Sequence, residues 1–211
     1  MIVKEGWPFV IGFSIIGIIG LAGAIWFILP GVVVAGLSFV CACFMLFFFR
    51  DPVRNRPADE HVIVSPADGT ILSIEQYQDS ATGRGIMIKI FLSIFDVHLQ
   101  RAPVAGTVTD IRYHKGSFLP AMHAQAANRN ERNVVVMKTV QGCIEITQIA
   151  GILARRIVCW AKHGTVLGQG DKFGLICFGS QVDMALPGHA RVTVQKGDSV
   201  RAGITVVGTW Q

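Results

Sequence analysis

Apolar, uncharged residues fill the beginning of the chain in two long runs. Neither residues 8–29 nor residues 31–49 contain a charged side chain, and Pro30-Gly31 stands at their junction. Each run has about 20 residues, the length that a helix needs to cross a hydrocarbon core of about 30 Å. Because Pro-Gly is a strong turn signal, the pattern predicts a helical hairpin with its turn at this dipeptide.

The rest of the chain has short stretches rich in β-branched residues and bounded by Gly, Pro, Asp or Asn, which is typical of β-strands. Residues 120–129, rich in alanine, predict one short helix, and a second helical turn is expected at residues 151–156. The predicted strands cover residues 61–64, 70–75, 85–92, 106–113, 134–138, 143–149, 158–161, 172–178, 182–186 and 190–195.

The last predicted strand runs into Lys196-Gly197-Asp198, where glycine supplies a positive φ and aspartate closes the turn through its own backbone. A valine strand followed by this turn resembles the hammerhead of biotinyl and lipoyl domains. The predicted fold is therefore mainly β. It has a transmembrane helical hairpin over residues 1–49, then an all-β, barrel-sandwich-like domain over residues 50–211 with one or two short helices.

Composition assigns the apolar character and the charge to different parts of the chain. The 211 residues are 51% hydrophobic and 16% charged, against about 25% charged in an average soluble domain. Before residue 50 the only charged side chains are Lys4 and Glu5, so the net charge of +5 belongs to residues 50–211. This composition excludes a disordered chain, and the lack of further long apolar runs excludes a multi-span transporter. The five cysteines include no CxxC pair and do not form a disulfide framework.

Arginines directly after the second apolar run give the hairpin an orientation. Arg50, Arg54 and Arg56 follow that run and Lys4 precedes the first, and basic residues concentrate on the cytoplasmic side of membrane proteins. The sequence therefore predicts an anchor in the cell membrane, with the following domain on the cytoplasmic face. A single bent or re-entrant segment on the inner face is the alternative that the pattern leaves open.

Polar residues that could carry chemistry are scattered among the predicted strands. No histidine pair or cysteine cluster has metal-ligand spacing, so no metal is expected. The phosphate-cradling GxxxxGK[ST] pattern is absent, and no interleaving of aromatic and basic residues supports nucleic-acid binding. The candidates are Asp68, Asp96, His98, Glu131, His163, Asp171, Ser180, Asp183 and His189.

Ser180 stands apart because it directly follows Gly179 at the end of an apolar stretch, where a residue without a Cβ permits a strained bend. Other motifs precede Phe178-Gly179-Ser180 in a fixed order. They are Phe48-Phe49-Arg50-Asp51-Pro52, Ser65-Pro66-Ala67-Asp68-Gly69, Phe95-Asp96-Val97-His98 with Arg101-Ala102-Pro103, and Asn130-Glu131-Arg132-Asn133. The whole set resembles the short, membrane-anchored form of the phosphatidylserine decarboxylase family over essentially the entire chain.

Members of that family are proenzymes that cleave themselves, and the resemblance places the cut between Gly179 and Ser180. The serine hydroxyl attacks the preceding carbonyl carbon, and elimination and hydrolysis then leave ammonia and a pyruvoyl group at residue 180. Residues 1–179 would form the β chain and residues 180–211 the α chain of a heterodimer. The pyruvoyl group serves as the electron sink for removing CO2 from phosphatidylserine, a membrane lipid, to give phosphatidylethanolamine.

The resemblance also implies which residues assist the reactive serine. His98 is the expected general base, oriented by Asp68. Longer family members carry a second histidine three residues later, where this chain has Arg101, so their triad does not transfer intact. His163 and His189 remain substitutes for the base. Arg101 and His163 are also expected to contact the substrate, and a guanidinium matches a phosphate group bidentately.

Two other interpretations remain open. A non-enzymatic, membrane-tethered adaptor or carrier with the same β fold explains the anchor and the Lys-Gly-Asp turn. The sequence, however, lacks the lysine between paired hydrophobic residues at a hairpin tip that a lipoyl carrier requires. A decarboxylase of an ether-linked lipid, archaetidylserine, is the second, because an apolar hairpin suits either lipid. The sequence leaves the oligomeric state open and predicts no nucleic-acid partner.

Overall fold

Contacts within the chain divide it into two units, Met1–Val53 and Arg54–Gln211. The computed structural model describes residues 2–59, 61–79, 83–117, 129–151, 156–177 and 180–210. The first unit is helical and the second consists of β-strands, which confirms the expected mainly β fold with an N-terminal apolar helical pair. The helix expected at residues 120–129 and the helical turn expected at 151–156 fall largely on residues outside the described ranges.

Two apolar helices make up the first unit. A 3-10 turn (Lys4–Gly6) leads into α1 (Trp7–Gly23), and α2 spans Ile28–Phe48. The spans Lys4–Gly23 and Ile28–Phe48 are long and apolar enough, by length and composition, to cross a membrane. Many large apolar side chains on both helices are exposed, as with Ile18 at 66%. So much exposed apolar surface is unusual for a protein in water and marks a surface that lipid or protein covers.

The turn between the helices lies before Pro30-Gly31, so the expectation of a turn at that dipeptide is wrong. Residues 24–27 form the turn, and Pro30 is the third residue of α2. Proline is tolerated there because the N–H groups of a helix's first turn have no acceptor within the helix. Gly31 serves close packing, since a Cβ at this position would approach the Ala24 backbone to 2.5 Å.

The second unit is built from antiparallel strands in three sheets. Their orders are β13-β2-β3-β11-β7-β6-β5-β9, β1-β14-β12 and β4-β10-β8. The strands are β1 (Val62–Val64), β2 (Gly69–Asp79), β3 (Gly83–Leu92), β4 (Leu99–Arg101), β5 (Gly106–His114), β6 (Arg132–Thr139), β7 (Gly142–Ala150), β8 (Arg156–Cys159), β9 (Val166–Leu167), β10 (Lys172–Cys177), β11 (Ser180–Pro187), β12 (Ala190–Val192), β13 (Ser199–Val200) and β14 (Val206–Trp210).

All ten strands expected from the sequence pattern are present, with ends that shift by a few residues. The structure adds β4, β9, β13 and β14, which the pattern does not indicate. These strands are short, and their partners are distant in sequence: β14 pairs with β1 on one side and β12 on the other. Pairing with distant strands rather than local propensity makes them extended.

The expected Lys-Gly-Asp turn is confirmed at residues 195–198. Gly197 has a φ of +94°, and the backbone N–H of Gln195 donates to Asp198 Oδ2 at 2.9 Å. The backbone N–H of Gly197 also donates to the Ile71 carbonyl at 2.9 Å, which ties the turn to β2. Inward-facing side chains of the strands fill one core, which includes Ile63, Ile88, Ile90, Ile144, Ile146, Phe173, Val182 and Met184.

Candidate active site

One row of paired residues crosses the large sheet and brings the motifs together. Arg132 pairs with Ile149, Ile149 with Gln181, Gln181 with Phe91, and Phe91 with Thr70. Neighbouring strands lie about 4.8 Å apart, so the row spans only about 19 Å. The Asn130, Ser180 and Asp68 motifs adjoin members of this row, and the Phe95 motif follows the end of β3. Motifs scattered over more than one hundred residues therefore meet at one end of the sheet, called here the Ser180 end.

Ser180 is the first residue of β11, the strand between β3 and β7. It lies opposite Leu92 on one side and Ala150 on the other. Its side chain faces the core together with Val182 and Met184, which follow at the two-residue period of a strand. The serine thus belongs to a strand, and the bend expected at Gly179 lies outside the described residues.

The Ser180 hydroxyl is fully buried, with no exposed surface and no hydrogen-bond partner among the described residues. A buried hydroxyl without a partner costs about 1–3 kcal/mol of stability. Such groups are rare in folded proteins and often mark functional positions. The burial of Ser180 thus fits a residue retained for its chemistry.

A tight turn after β3 carries the histidine motif to the same end of the sheet. The backbone N–H of Asp96 donates to the Ser93 carbonyl at 3.0 Å, and the N–H of Ser93 donates to Asp96 Oδ2 at 2.8 Å. The N–H of Phe95 donates to Ser93 Oγ at 3.3 Å. Because these bonds close the turn from both sides, the residues after Leu92 hold a defined geometry beside Ser180.

His98 is 1% exposed, and its Nδ1 lies 3.0 Å from the Asp96 carbonyl oxygen. A carbonyl can only accept, so Nδ1 carries the hydrogen and a neutral ring keeps its lone pair on Nε2. The backbone N–H of Ile176 donates to the His98 carbonyl at 3.2 Å. Since Ile176 lies four residues before Ser180, this bond ties the histidine to the strand that precedes this serine in the chain.

A chain of buried amide side chains supports His98 from below. Gln100 Nε2 donates to the His98 carbonyl at 2.8 Å, and Gln148 Nε2 donates to Gln100 Oε1 at 2.9 Å. Asn133 Nδ2 in turn donates to Gln148 Oε1 at 2.9 Å. All three amides are at most 3% exposed. The Asn133 motif is thereby linked to the histidine motif.

Asn130 connects the same motif to the serine strand. Its Nδ2 donates to the Ala150 carbonyl at 2.7 Å, and the Ala150 N–H donates to the Glu131 carbonyl at 2.9 Å. Ala150 is the residue opposite Ser180. Asn130 therefore fixes the backbone at the position directly opposite the serine. The sequence marks Asn130 as part of a motif but does not indicate this contact.

Asp68 binds partners other than His98. Its Oδ2 accepts from Arg54 Nη2 at 2.7 Å, and its Oδ1 accepts from the backbone N–H of Ala202 at 2.8 Å. The side chains of the ion pair are 7% exposed for Arg54 and 11% for Asp68. Gly69, which follows, has a φ of +149° and packs against the Phe91 carbonyl so closely that a Cβ would overlap it. This contact holds Asp68 at the Ser180 end.

The structure separates the two candidate substrate contacts. Arg101 Nη1 donates to the Gly170 carbonyl at 2.9 Å, and the residue is 8% exposed. His163 is exposed in the turn before β9, where the N–H of Gly164 donates to the Val108 carbonyl. Val108 pairs with Met137, toward the end of β6 away from Ser180. His163 therefore lies at the opposite end of the sheet from the serine.

Three of the remaining candidates have local partners. Asp171 Oδ2 accepts from the Gly168 N–H at 2.7 Å within a turn, and the His189 ring lies 5.6 Å from the Trp210 ring. Asp183 accepts at Oδ1 from Gln181 Nε2 at 2.6 Å, on the face of β11 opposite that of the serine side chain. None of these contacts includes Ser180.

Burial raises the pKa of Asp183 to about 6, although the hydrogen bond from Gln181 and the charge of Lys89 both act to lower it. Lys89 lies opposite Asp183 in β3, and its Nζ binds both oxygens of Glu75 at 2.9 and 2.8 Å. The lysine is therefore shared between two carboxyl groups, and Asp183 is buried with incomplete compensation.

The inward positions of β6 and β7 carried a readable sign of the amide chain. In β7, Gln148 has the same parity as the buried Ile144 and Ile146. In β6, Asn133 has the same parity as Val135, which is also fully buried. A polar residue where the alternation demands an apolar one is unusual unless its side chain is hydrogen-bonded.

A cleft of about 800 Å³ lies elsewhere in the second unit. It is lined by Arg56, His61 and Trp210, together with the β6–β7 turn at residues 139–141. None of the site residues expected from the sequence lines it. Within the described part of the chain, no group of three or more His, Cys, Asp or Glu side chains could hold a metal ion.

The convergence of several motifs on one buried serine is typical of an enzyme, and the two apolar helices are consistent with membrane association. The sequence model of phosphatidylserine decarboxylase matches residues 41–208. The chain is 41% identical to the phosphatidylserine decarboxylase proenzyme of Magnetococcus marinus, over 99% of this chain and 94% of that one. The corresponding proenzyme of Ralstonia pickettii is 41% identical over 98% and 94% of the two chains, and that of Symbiobacterium thermophilum is 42% identical over 99% and 95%.

The chain therefore belongs to the phosphatidylserine decarboxylase family, a family of carboxy-lyases. This confirms the family resemblance that the sequence motifs indicate.

Proposed function

We propose that this chain is a proenzyme that cuts itself between Gly179 and Ser180 and then decarboxylates phosphatidylserine to phosphatidylethanolamine. The observation that carries the proposal is the buried Ser180 hydroxyl, which has no hydrogen-bond partner among the described residues. The family match supports it, because the relatives are named as proenzymes of phosphatidylserine decarboxylase.

In the proposed cut, Ser180 Oγ adds to the Gly179 carbonyl carbon as a base takes the hydroxyl proton. The C–N bond then breaks, the proton passes to the departing nitrogen, and an ester joins Gly179 to the Ser180 side chain. Loss of the Ser180 α-proton expels the Gly179 carboxylate and leaves a dehydroalanine. Water converts this group to a ketone and releases ammonia, which leaves a pyruvoyl group at residue 180.

His98 is the proposed base. Its Nδ1 hydrogen is directed at the Asp96 carbonyl, so Nε2 is the ring nitrogen that can take a proton. The Gln100 and Ile176 bonds fix the His98 backbone. In this arrangement the Asp96 carbonyl orients the ring, and Asp68 acts by binding Arg54 and Ala202.

A pyruvoyl group at residue 180 would supply a ketone for the amine of the lipid's serine headgroup and an electron sink for the loss of CO2. The chain's own residues exclude water and move protons. Val182 and Met184 line the apolar side of β11 next to residue 180. His98 Nε2, once protonated, can return a proton to the carbon that loses CO2.

The cut yields a β chain, residues 1–179, and an α chain, residues 180–211, that remain a heterodimer. Strands of the α chain lie inside the fold: β11 pairs with β3 and β7, β13 with β2, and β14 with β1. The helical pair anchors the enzyme in the membrane, with the β unit on the cytoplasmic face because Arg50, Arg54 and Arg56 follow α2.

Intact-mass analysis of the purified chain tests the proposal. Wild type should give two fragments that split after Gly179, the smaller one lighter by one ammonia than residues 180–211 and without a free α-amine at its N-terminus. Ser180→Ala should remain one chain of 22.9 kDa, and Ser199→Ala, an exposed serine in β13, should mature normally. Processing of Ser180→Ala at the same bond refutes the nucleophile. A mature enzyme that releases no CO2 from phosphatidylserine refutes the substrate.

A further inference from the structure

An exposed aromatic residue stands at the tip of the turn beside the reactive serine. Phe95 is 65% exposed, whereas Val97 and His98, two and three residues later, are 4% and 1% exposed. The turn is closed by the Ser93 and Asp96 hydrogen bonds, so the ring projects from a fixed backbone. At this exposure the Phe95 ring forms part of the surface at the Ser180 end.

Basic side chains surround the same end of the sheet. Lys115 follows the end of β5, where His114 pairs with Arg132, and Arg129 precedes the start of β6. Arg156 begins β8 opposite Cys177, three residues before Ser180. Lys115, Arg129 and Arg156 are all exposed.

Acidic groups at this end are fewer and less exposed. Asp96 is half-buried, and its Oδ2 accepts from the Ser93 N–H. Glu131 is also half-buried. The described residues at the Ser180 end therefore present an exposed aromatic ring within a net positive surface. Apolar and aromatic side chains together with Lys and Arg are the combination by which proteins bind the interface of an anionic bilayer.

We propose that the Ser180 end of the β unit docks on the surface of an anionic lipid bilayer, with the Phe95 ring inserted at the boundary between headgroups and acyl chains. Lys115, Arg129 and Arg156 face the lipid phosphates. The proposal rests on the proposed function, since it explains how a buried serine reaches a headgroup that stays in the membrane. It also supplies a role for the exposed Phe95 ring at the tip of the Ser93–Asp96 turn, which the proposed chemistry at residue 180 does not use.

The opposite end of the sheet supplies matched controls. Val140, at the tip of the β6–β7 turn, is 98% exposed, and Lys138 beside it is also exposed. β7 runs nine residues from Gly142 to Ala150, so this tip lies about 25 Å along the strand from the residue opposite Ser180. If exposure alone determined contact with the bilayer, substitutions of apolar or basic residues at the two ends of the sheet would have the same effect.

Fluorescence quenching by lipid tests the insertion directly. The full chain is reconstituted in vesicles of phosphatidylcholine and phosphatidylglycerol, with and without brominated acyl chains, as wild type, Phe95→Trp and Val140→Trp. Over the wild-type signal, Phe95→Trp should add emission that the brominated lipid quenches, and Val140→Trp should add emission that it does not. Equal quenching at the two positions, or none at residue 95, overturns the proposal and leaves a soluble partner as the occupant. This readout does not depend on activity.

Activity gives a second arm that separates docking from chemistry. The same vesicles are assayed with long-chain phosphatidylserine in the bilayer and with short-chain phosphatidylserine dissolved as monomers, per mole of mature α chain. For Phe95→Ser the ratio of bilayer to monomer rate should fall about tenfold, while Val140→Ser keeps the wild-type ratio. An unchanged ratio for Phe95→Ser overturns docking. A wild type inactive on both substrates refutes the proposed function instead, and the quenching result still decides docking.

The charges are tested in the same vesicles. The double variant Lys115→Gln, Arg129→Gln should have a lower bilayer-to-monomer ratio than wild type, and the difference should grow with the phosphatidylglycerol fraction. Lys138→Gln should keep the wild-type ratio. An equal effect of the two charge removals would show that net charge, rather than the Ser180 end, attracts the bilayer, and would overturn the assigned surface.

Discussion

Ser180 lies directly opposite Ala150 in the paired strands β11 and β7, and the carbonyl of Ala150 accepts a hydrogen bond from the buried Asn130 side chain at 2.7 Å. The backbone beside the serine is therefore fixed by a side chain from a third strand region. This arrangement makes the position of residue 180 depend on an amide side chain that is not hydrogen-bonded to the serine hydroxyl.

Asn130→Ala should slow maturation and lower the free energy of unfolding by about 1–3 kcal/mol, because it leaves a buried carbonyl without its donor. The stability is measured in detergent micelles on a Ser180→Ala background, where every molecule remains uncut. The maturation rate is followed by the appearance of the two fragments. Asn55→Ala, at an exposed position, is the control. Normal maturation of Asn130→Ala would show that Ala150 needs no such support.

Gln148→Leu removes the middle residue of the chain of amide side chains. It leaves Gln100 Oε1 and Asn133 Nδ2 without the hydrogen bonds that Gln148 makes to them. We expect a loss of about 2 kcal/mol in the free energy of unfolding and slower maturation, because the support of the His98 backbone is lost. Gln195→Leu, at an exposed position, should change neither quantity. If the stability falls while the cut keeps its normal rate and pH profile, the three amide side chains only stabilise the fold and do not position His98.

Asp183 predicts a pH dependence of stability. Its pKa of about 6 in the folded protein lies above the ordinary value of 3.8, so the proton is bound more tightly in the folded state. The contribution is fully present below about pH 4 and is lost as the pH rises through about 6, with a total near 3 kcal/mol. Asp183→Asn should flatten this part of the profile.

Denaturant unfolding of the uncut Ser180→Ala chain between pH 4 and 8 measures that profile. Asp110→Asn provides the control, because Asp110 is more than half exposed in its ion pair with Arg112. A profile for Asp183→Asn that parallels its parent would mean that another group is responsible for any pH dependence.

Asp68→Asn separates two roles for that carboxylate. The change keeps an acceptor for the Ala202 N–H but leaves the buried Arg54 guanidinium without its counter-charge, which should cost about 3–5 kcal/mol. If Asp68 acts through Arg54, the additional change Arg54→Gln should recover most of that stability and the maturation rate. If Asp68 instead orients His98, the double variant should mature as poorly as Asp68→Asn.

Local pattern was sufficient for the larger elements. Uncharged runs of about 20 residues predicted both helices. Stretches rich in β-branched residues and bounded by turn residues predicted every strand of the Ser180 row, including β3, β7 and β11. Strands such as β4 were missed because three residues, Leu-Gln-Arg, carry no alternation, and their extended form comes from pairing with β10. Pro30 misled because the first turn of a helix accepts proline as readily as a loop does.

The sequence motifs indicated which residues belong to the candidate site, but not the contacts among them. Asp68 and His98 were expected to pair, whereas Asp68 contacts Arg54, 14 residues before it, and Ala202, 134 residues after it. Separations of this size are set by the folding of the sheet, and no local spacing reports them. The inward parity of Gln148 and Asn133 was visible in the sequence, yet their common partner, Gln100, depends on where β4 packs.

The place of β11 between two strands has a consequence for the life history of the molecule. The strand that begins at Ser180, β11, lies inside the large sheet, and both of its neighbours, β3 and β7, precede it in the chain. Under the proposed cut, the small fragment could not be made separately and added later, because its place would be closed. The cut at residue 180 then follows folding, and it is irreversible because the separated fragments do not assemble again. A mature molecule that is unfolded and diluted should not return to activity, whereas the uncut Ser180→Ala chain should refold.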